Sequence, residues 1–261
     1  MTTSTPTSNS ASIFNSSLFQ LFLMNLRLIY RNGSGLFFTL IMPVIIYVAL
    51  SILPIGTLVG AQVSYSQFVL PGIIAMTIMQ GGIYTLAYWM IDLKSRNVIK
   101  RFLVTPLKPG ELIATVLFSR TLVALAQVLF LSVIGWIFFG ATVGGSLWFA
   151  LGFAALGAPI FLLIGLLIST FADSYEAAAP VTAAIGMPLI FLGNIFYPIE
   201  VLPKIFQSIA KLLPTTYLAD GIRSVYLNTG TWGDWGYNAA ILTVWLIIMI
   251  LLATRFFKLR E

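Results

Sequence analysis

Residues 32–91 read NGSGLFFTLIMPVIIYVALSILPIGTLVGAQVSYSQFVLPGIIAMTIMQGGIYTLAYWMI. These 60 residues contain no Asp, Glu, Lys or Arg. A helix that crosses a membrane needs about 20 mainly apolar residues, because the hydrocarbon core of a bilayer is about 30 Å thick. The stretch is therefore long enough for two crossings. We place them at about residues 34–54 and 68–91, with a turn between them.

The remainder of the chain contains more apolar stretches of this kind. Residues 121–172 again lack charged residues, and a glycine-rich turn separates predicted spans at about 113–139 and 148–171. Two more spans are predicted at about residues 177–197 and 236–254. Strands of a membrane β-barrel would alternate apolar and polar residues, whereas these runs are continuously apolar. The predicted fold class is therefore an all-α polytopic membrane protein with six transmembrane helices.

The composition excludes several classes of function. Of 261 residues, 59% are hydrophobic and 8% are charged, against about 25% charged residues in soluble domains. Too little polar surface remains to cover a soluble enzyme. The absence of cysteine and histidine removes thiol chemistry, the commonest metal ligand and the commonest general base. No Gly-x-x-x-x-Gly-Lys-[Ser/Thr] phosphate loop occurs either. We therefore predict no catalytic residue, no metal site and no cofactor in this chain.

The basic residues predict the orientation of the spans. If the spans alternate in direction, eleven of the 14 Lys and Arg residues fall on one side of the membrane. These eleven are Arg27, Arg31, Lys94, Arg96, Lys100, Arg101, Lys108, Arg120, Arg255, Lys258 and Arg260, and the other side has Lys204, Lys211 and Arg223. Cytoplasmic loops carry the excess of Lys and Arg in membrane proteins. Both termini are therefore predicted to be cytoplasmic, and the net charge of +6 does not indicate a nucleic-acid partner.

The N-terminal segment precedes the predicted transmembrane domain, residues 32–261. Residues 1–12 are rich in Ser and Thr and lack the features of a signal peptide, which predicts a disordered cytoplasmic tail. Residues 13–31 place apolar and polar side chains on opposite faces of a helix. Such a helix can lie in the membrane interface, either as a simple anchor or with a mechanical role.

Residues 92–111, between predicted spans 2 and 3, have a helical pattern of their own. One face of this helix would be apolar and the opposite face polar and basic. The apolar face has Val98, Ile99, Phe102 and Leu103, and the polar face has Lys94, Asn97, Lys100 and Arg101. Pro106 disfavours helix at the residue before it, so the helix should end there. A short basic helix facing the cytoplasm is a natural docking surface. The alternative is that these charges only satisfy the positive-inside rule.

Residues 198–233, between predicted spans 5 and 6, contain two short amphipathic helices. Pro203 suits the first turn of the first helix, and Pro214 should end it. Each helix has about 11 residues, or roughly 16 Å, which is too short to cross a membrane. They either re-enter the membrane packed against protein or rest on its outer surface, and we favour re-entry. Asp220 and Arg223 are three residues apart, a spacing that permits an ion pair.

Three motifs in this order resemble one family. Residues 97–112 read NVIKRFLVTPLKPGEL, similar to the Arg-x-Leu-x-Thr-Pro-Leu-x-x-x-Glu segment of ABC-2 type permeases. Residues 70–72, Leu-Pro-Gly, resemble the Leu-x-Pro-Gly motif of that family. Residues 194–203, NIFYPIEVLP, followed by residues 213–223, LPTTYLADGIR, resemble its extracellular signature. The resemblance extends over about residues 15–258 and is closest to the daunorubicin-resistance-like exporters.

The resemblance implies a function. Members of this family are six-helix halves of ATP-binding cassette exporters. Two copies, or the chain and a related permease, would pair in the prokaryotic plasma (inner) membrane among membrane lipids. Each would bind a separate cytoplasmic ATPase subunit, and ATP and Mg²⁺ would bind to that partner. Together they would move a lipophilic or amphipathic substrate, such as a drug, a lipid or a lipid-linked molecule, outward.

The resemblance also implies roles for particular residues. Residues 13–31 would form a connecting helix, residues 92–106 a coupling helix, and residues 201–228 re-entrant helices that cap the exit. ATPase coupling would involve Arg96, Asn97, Lys100, Arg101, Phe102, Thr105 and Pro106. The substrate path would be lined by Gln80, Tyr84, Tyr88, Met187, Phe191, Asn194 and Tyr197. The extracellular re-entrant gate would include Pro198, Pro203, Pro214, Tyr217 and Arg223. For any single aromatic residue on the path, ordinary helix packing is the alternative.

Two other functions are compatible with a polytopic apolar chain. One is an ATP-independent secondary transporter or channel, although the near absence of Asp and Glu from the spans disfavours it. The other is a membrane scaffold that transports nothing. Flux without an ATPase would indicate the first, and the absence of partner-dependent ATP hydrolysis would indicate the second.

Overall fold

The computed structural model describes residues 20, 22–25, 27–28, 31, 33–52, 64–96, 98 and 109–256. In these residues all regular structure is helical. The α-helices are α1 (Gly33–Ile52), α2 (Tyr65–Ser95), α3 (Pro109–Phe139), α4 (Leu147–Phe171), α5 (Tyr175–Leu192), α6 (Lys204–Ala210), α7 (Pro214–Tyr226) and α8 (Trp232–Phe256), with a 3₁₀ turn at Ile199–Val201.

Five helices of the described part of the chain are long and apolar enough to cross a membrane. They are α2, α3 from its second residue, α4, α5 and α8. These confirm five of the predicted spans. For the first predicted span, α1 contributes the described apolar run Phe37–Ile52, which is shorter than the others. The sixth crossing therefore stays a prediction.

The predicted fifth span differs from α5 at its end. We expected it to continue to residue 197, because Ile195, Phe196 and Tyr197 are apolar or aromatic. The helix instead ends at Leu192, with Gly193 as its C-cap. Asn194 follows with a φ of 56°, in the left-handed region that asparagine tolerates better than most residues. The chain therefore leaves the helix axis at Asn194 and turns towards α2.

Helix α2 is the centre of the bundle. It is buried along most of its length and packs against α1, α3, α4, α5 and α7. Its closest neighbour is α4, and glycines make this approach possible: a Cβ atom on Gly82 would lie 2.6 Å from the Cβ of Phe161, and one on Gly165 would overlap the carbonyl oxygen of Ile83. Small residues are common where membrane helices pack this closely. The two helices therefore form a tightly packed pair.

The two short helices between α5 and α8 have different environments. Helix α7 is mostly buried and packs against α2, α4 and α8. Helix α6 exposes apolar side chains instead; Ile205 is 76% exposed, and Leu212, just after the helix, is 69% exposed. Pro203 precedes α6, which ends at Ala210, and Pro214 begins α7 rather than ending the helix before it. Re-entry into a membrane stays a prediction, because burial within the chain does not fix the depth of α7.

The turn between α3 and α4 contacts the end of α7. The amides of Gly144 and Gly145 donate hydrogen bonds to the carbonyl oxygens of Tyr226 and Val225, at 2.8 and 2.9 Å. A Cβ atom on Gly145 would lie 2.8 Å from the Val225 oxygen, so only glycine permits this contact. Carbonyls at the end of a helix lack partners within the helix. The glycine-rich turn supplies such partners and anchors α7 in the bundle.

The two ends of the helix bundle are called the basic end and the hairpin end, and each is defined by its residues. The basic end comprises residues 92–96 at the end of α2, the start of α3, and residues 169–175, from the last turn of α4 to the first residue of α5. The hairpin end comprises the starts of α2, α4 and α8 and residues 193–231. Aromatic rings cluster at the hairpin end, where the ring centroids of Phe149 and Trp235 are 4.8 Å apart. Aromatic residues of this kind are enriched at membrane interfaces.

Candidate functional site

The basic end joins three helices through polar contacts. The Lys94 Nζ donates to the carbonyl oxygen of Ser169 at 2.5 Å and lies 3.3 Å from an Asp173 carboxylate oxygen. The Arg96 Nε donates to the Asp92 carboxylate at 2.8 Å, and the Tyr175 hydroxyl donates to the same oxygen at 3.4 Å. The Asp173 side chain is 93% exposed, so its ion pair adds little stability. The contacts connect the end of α2 to α4 and α5.

Of the residues predicted to couple to an ATPase, one is described. Arg96 is exposed and held by Asp92 one helical turn earlier. The others lie outside the described residues: Asn97, Lys100, Arg101, Phe102, Thr105 and Pro106. Most of the predicted connecting helix, residues 13–31, also lies outside them, and those of its residues that are described are helical. The coupling role stays a prediction.

A cavity of about 660 Å³ extends from the basic end into the bundle. Its lining follows α2 from Ile78 to Leu93, which is roughly 22 Å of helix. Helices α1, α3 and α4 supply the other walls, and Tyr175 closes one side. The lining comprises Asn25, Leu28, Gly35, Thr39, Ile78, Gly81, Gly82, Tyr84, Thr85, Tyr88, Trp89, Asp92, Leu93, Arg120, Val123, Ala124, Gln127, Ala158, Leu162 and Tyr175. This volume is in the usual range for a small-molecule site.

Two of the predicted path residues line this cavity. The ring centroids of Tyr84 and Tyr88 are 5.9 Å apart, and those of Tyr88 and Tyr175 are 5.6 Å apart. The Tyr88 hydroxyl also lies 3.4 Å from the Thr182 hydroxyl of α5. A row of three tyrosines therefore runs along the cavity to the basic end. It joins α2 to α5, the two helices that we predicted to share the path.

The other predicted path residues lie elsewhere. Gln80 is half-buried and does not line the cavity. Met187 and Phe191 are 60% and 53% exposed on α5, outside the cavity. Asn194 and Tyr197 belong to the hairpin end, where the Tyr197 hydroxyl donates to the Phe191 carbonyl oxygen at 2.5 Å. The structure therefore brings together Tyr84 and Tyr88 and leaves the α5 residues on the surface of the single chain.

Arg120 also lines the cavity, although its sequence position suggested only a cytoplasmic charge. It is the twelfth residue of α3, roughly 16 Å from the start of that helix, and it is half-buried. Within the described part of the chain, its side chain has no hydrogen bond or ion pair. The signal was present in the sequence, because residue 120 falls inside the predicted span 113–139. A charge within a span is by default a candidate functional residue.

A buried arginine organises the hairpin end. The Arg223 side chain donates to the carbonyl oxygens of Phe68, Asn194 and Ile195, at 3.2, 2.6 and 3.3 Å. It also forms the expected ion pair with Asp220, at 3.3 Å. The Asn194 side-chain amide donates to the same carboxylate. These bonds connect α7, the start of α2 and the segment that follows α5.

Burial changes the acidity of this pair. Removal from water raises the pKa of the Asp220 carboxyl, while the adjacent Arg223 guanidinium opposes that shift. Burial lowers the pKa of Arg223 to about 10, and the carboxylate of Asp220 works against this change. Arg223 therefore remains charged at neutral pH, and its charge is balanced within the protein.

Two of the sequence motifs meet at the hairpin end. A Cβ atom on Gly72, the last residue of the Leu-Pro-Gly motif, would overlap the carbonyl oxygen of Ile195. The Tyr65 hydroxyl donates to the carbonyl oxygen of Phe196 at 3.0 Å. The segment after α5 therefore lies directly on the first turns of α2. Glycine is required at position 72 because no side chain fits there.

The remaining residues of the predicted gate shape the hairpin. Pro198 precedes the 3₁₀ turn, Pro203 precedes α6, and Pro214 is the first residue of α7. The fixed φ of proline suits helix starts. The Tyr217 hydroxyl donates to the carbonyl oxygen of Lys211 at 2.6 Å, which ties α7 to the end of α6. In the part of the chain that the structure describes, no acidic cluster could hold a metal ion.

Several known proteins are similar to this chain in sequence. The chain is 28% identical over 204 residues to the inner membrane transport permease YadH of Escherichia coli K12, covering 72% of this chain and 75% of that protein. It is 26% identical over 214 residues to nodulation protein J of Rhizobium leguminosarum bv. trifolii, covering 79% of each. The putative transport permease YvfS of Bacillus subtilis is 25% identical over 227 residues, covering 86% of this chain and 90% of that protein.

A family profile gives the assignment. The profile described as ABC-2 type transporter matches residues 16–227, which include α1–α7. The match extends over the cavity, the basic end and the Arg223 network. The chain therefore belongs to the ABC-2 type transporter family.

Proposed function

We propose that this chain is the transmembrane subunit of an ATP-binding cassette exporter of the bacterial inner membrane. The observation that carries the proposal is the family match over residues 16–227 of an apolar helical chain. The relatives named as transport permeases support a role in transport. A lipophilic or amphipathic molecule suits the cavity, because its lining is largely apolar and aromatic.

The energy would come from a separate subunit. The sequence contains no phosphate-binding loop, so ATP and Mg²⁺ would bind to a cytoplasmic ATPase. Two permease copies and two ATPase copies would form the complex. The segment between α2 and α3, with Arg101 and Phe102, would dock in the ATPase. Both termini and this segment would then face the cytoplasm, as the positive-inside rule predicts.

The packing of α2 supports a mechanical route from the ATPase to the cavity. A movement of the coupling segment would reach α2 and α3, since the segment directly connects them. Helix α2 would carry α4 with it, because Lys94 binds the Ser169 carbonyl and Gly82 and Gly165 hold the two helices in close contact. The cavity lies between these helices and α1, so their displacement would change its shape and access.

The hairpin end would form the outer closure. Arg223 holds α7, the start of α2 and the segment after α5 together by hydrogen bonds. A rigid junction there would let the basic end open while the outer end stays closed. Helix α6 and the exposed residues Met187 and Phe191 would contact lipid or the second copy, since apolar side chains at these positions lack cover within one chain.

The test is to recover the ATPase partner by affinity purification of this chain and to reconstitute the two subunits together. Proteoliposomes with both subunits should export an amphipathic dye on addition of ATP, and those with the permease alone should not. Arg101→Ala and Phe102→Ala should each abolish export and weaken ATPase association, while membrane insertion stays normal. Lys204→Ala, a basic residue predicted on the opposite side, is the matched control.

Two outcomes would contradict the proposal. Flux of equal rate without any ATPase would indicate a secondary transporter or channel. Unchanged export by both the Arg101 and Phe102 variants would remove the coupling role of this segment.

A further inference from the structure

Arg120 is a charge inside the bundle that none of the described residues pairs with. It lies about three turns into α3, beyond the polar contacts of the basic end, and no described residue forms a hydrogen bond or ion pair with its side chain. A charged side chain at this depth is costly unless it is paired or solvated. Arg223 illustrates the usual solution, since it has a carboxylate and three carbonyl oxygens around it. Arg120 has none of these among the described residues, and a ligand in the cavity would supply the counter-charge that they do not.

The cavity around Arg120 lacks an available negative charge. Among the described lining residues, Asp92 is the only acid, and its carboxylate already accepts hydrogen bonds from Arg96 and Tyr175. Tyr84 and Thr85, which both carry a hydroxyl group, line the same space. Hydroxyl donors and a guanidinium are the groups that bind phosphate and carboxylate oxygens. The polar part of the cavity therefore suits an anion.

The remaining lining suits a hydrocarbon chain. It includes eight aliphatic or aromatic residues, which are Leu28, Ile78, Trp89, Leu93, Val123, Ala124, Ala158 and Leu162, together with the uncharged polar residues Asn25, Thr39 and Gln127. A free inorganic anion would make no use of the apolar side chains. A volume of about 660 Å³ holds a headgroup together with the upper part of an acyl chain. Polar and apolar walls in one cavity indicate a molecule with both characters.

A second concave surface adjoins this cavity. It has a volume of about 350 Å³ and is lined by Gln20, Leu23, Met24, Arg27, Leu28 and Arg31. Leu28 lines both spaces, so they are neighbours. Arg27 and Arg31 are exposed here, and the described lining contains no acid. Exposed positive charges beside a cavity raise the local concentration of anions.

From these observations we propose that the cavity between α1, α2, α3 and α4 binds the anionic headgroup of an amphipathic molecule, with Arg120 as its counter-charge. Arg27 and Arg31 attract the headgroup, Arg120 pairs with it, and the aliphatic wall holds the chain. The inference deepens the proposed transport function, on which it rests, by naming the charge of the transported molecule. Binding itself is measurable without an ATPase.

The experiment measures the thermal unfolding of the full chain in neutral detergent. A ligand that binds the folded state raises the unfolding temperature. We expect dioleoylphosphatidylglycerol to raise it and dioleoylphosphatidylcholine, which carries no net charge, to leave it nearly unchanged. In Arg120→Gln the affinity for the anionic lipid should fall about tenfold or more, because a charge-assisted hydrogen bond is lost. Arg120→Lys should retain most of it, and Arg255→Gln, outside the cavity, should bind like wild type.

A second variant tests the site if Arg120→Gln does not fold. A Cβ atom on Gly81 meets nothing within 4 Å, and Gly81 lines the cavity. Gly81→Leu therefore fills the space while Arg120 stays. It should weaken binding of the anionic lipid to a similar degree. Gly152→Leu, at another uncrowded helical glycine away from the cavity, is the matched control.

Inorganic phosphate separates the two possible sources of the anion. At millimolar concentration it should not displace the lipid, because it lacks the chain that the aliphatic wall holds. Displacement by phosphate alone would show a free-anion site and overturn the proposal. Equal binding of both lipids, or full binding by Arg120→Gln and Gly81→Leu, would also overturn it. Lipid binding without ATP-dependent export would leave this site intact and contradict the transport function instead.

Discussion

The guanidinium carbon of Arg223 lies 3.9 Å from the centre of the Phe68 ring. The two residues are on different helices, α7 and α2, and the same arginine donates to the Phe68 carbonyl oxygen at 3.2 Å. A cation over an aromatic face is stabilising, and more so where water is excluded. Arg223 is 6% exposed, so this is such a place. The contact and the hydrogen bond together link α7 to the start of α2 through Arg223.

Replacing Arg223 should destabilise the hairpin end. In Arg223→Met, Asp220 loses its counter-charge and three carbonyl oxygens lose a donor. We expect the free energy of unfolding to fall by about 2–3 kcal/mol. The fall is smaller than for a fully buried ion pair because Asp220 is partly exposed. A loss of this size corresponds to a fall of about 5–10 °C in unfolding temperature.

The conservative variant distinguishes charge from geometry. Arg223→Lys keeps the charge but cannot lie flat on Phe68 or donate in as many directions. Arg223→Lys should therefore recover only part of the stability that Arg223→Met loses. Arg255→Lys, at an exposed position in α8, should unfold like wild type. Full stability of Arg223→Lys would show that charge alone matters at this position.

Position 72 should tolerate nothing larger than glycine. In Gly72→Ala the added methyl group would overlap the Ile195 carbonyl oxygen, which is backbone and cannot rotate away. We expect the free energy of unfolding to fall by about 1–3 kcal/mol, as at other overpacked sites. Gly81→Ala on the same helix is the control, since its methyl group meets nothing within 4 Å and alanine favours helix. Unfolding temperatures of the purified variants give the comparison.

Lys94 should matter more for transport than for stability. Its side chain joins α2 to the Ser169 carbonyl of α4, and its ion pair with the exposed Asp173 is worth less than about 1 kcal/mol. In Lys94→Met we expect a nearly unchanged unfolding temperature, with export per ATP hydrolysed reduced several-fold. Lys211→Met is the control. Normal export by Lys94→Met would exclude this residue from the mechanical route.

The sequence was sufficient to predict the elements that depend on local composition. Charge-free runs located α2, α3, α4 and α8 to within a few residues, since a membrane span needs a long apolar segment wherever it packs. The ion pair of Asp220 with Arg223 followed from their spacing on one helix. These features depend on neighbours in the chain, which a sequence contains.

Features that depend on tertiary contacts were not predictable. The apolar residues after Asn194 suggested a longer fifth span, but the backbone turns there to reach Gly72. The sequence predicted that Arg120 lies within a span, but it could not predict that this residue lines a cavity. Likewise, helical periodicity could not show that Tyr84 and Tyr88 line that cavity and that Met187 and Phe191 are exposed. The side of a helix that faces the cavity is set by the arrangement of the other helices.

The position of α6 in the membrane is open to a direct chemical test. The chain has no cysteine, so a single introduced cysteine reports on its own position without background. Ile205 and Ile209 are exposed on the single chain, whereas Ala210 is fully buried. If α6 re-enters the membrane or is covered by a second copy, Ile205→Cys and Ile209→Cys in whole cells should react with an impermeant maleimide several-fold more slowly than Lys211→Cys at the polar surface. Ala210→Cys should be unreactive in either case. Equal rates at positions 205, 209 and 211 would place α6 on the outer surface in water, since only water exposes an apolar helix face to a charged reagent.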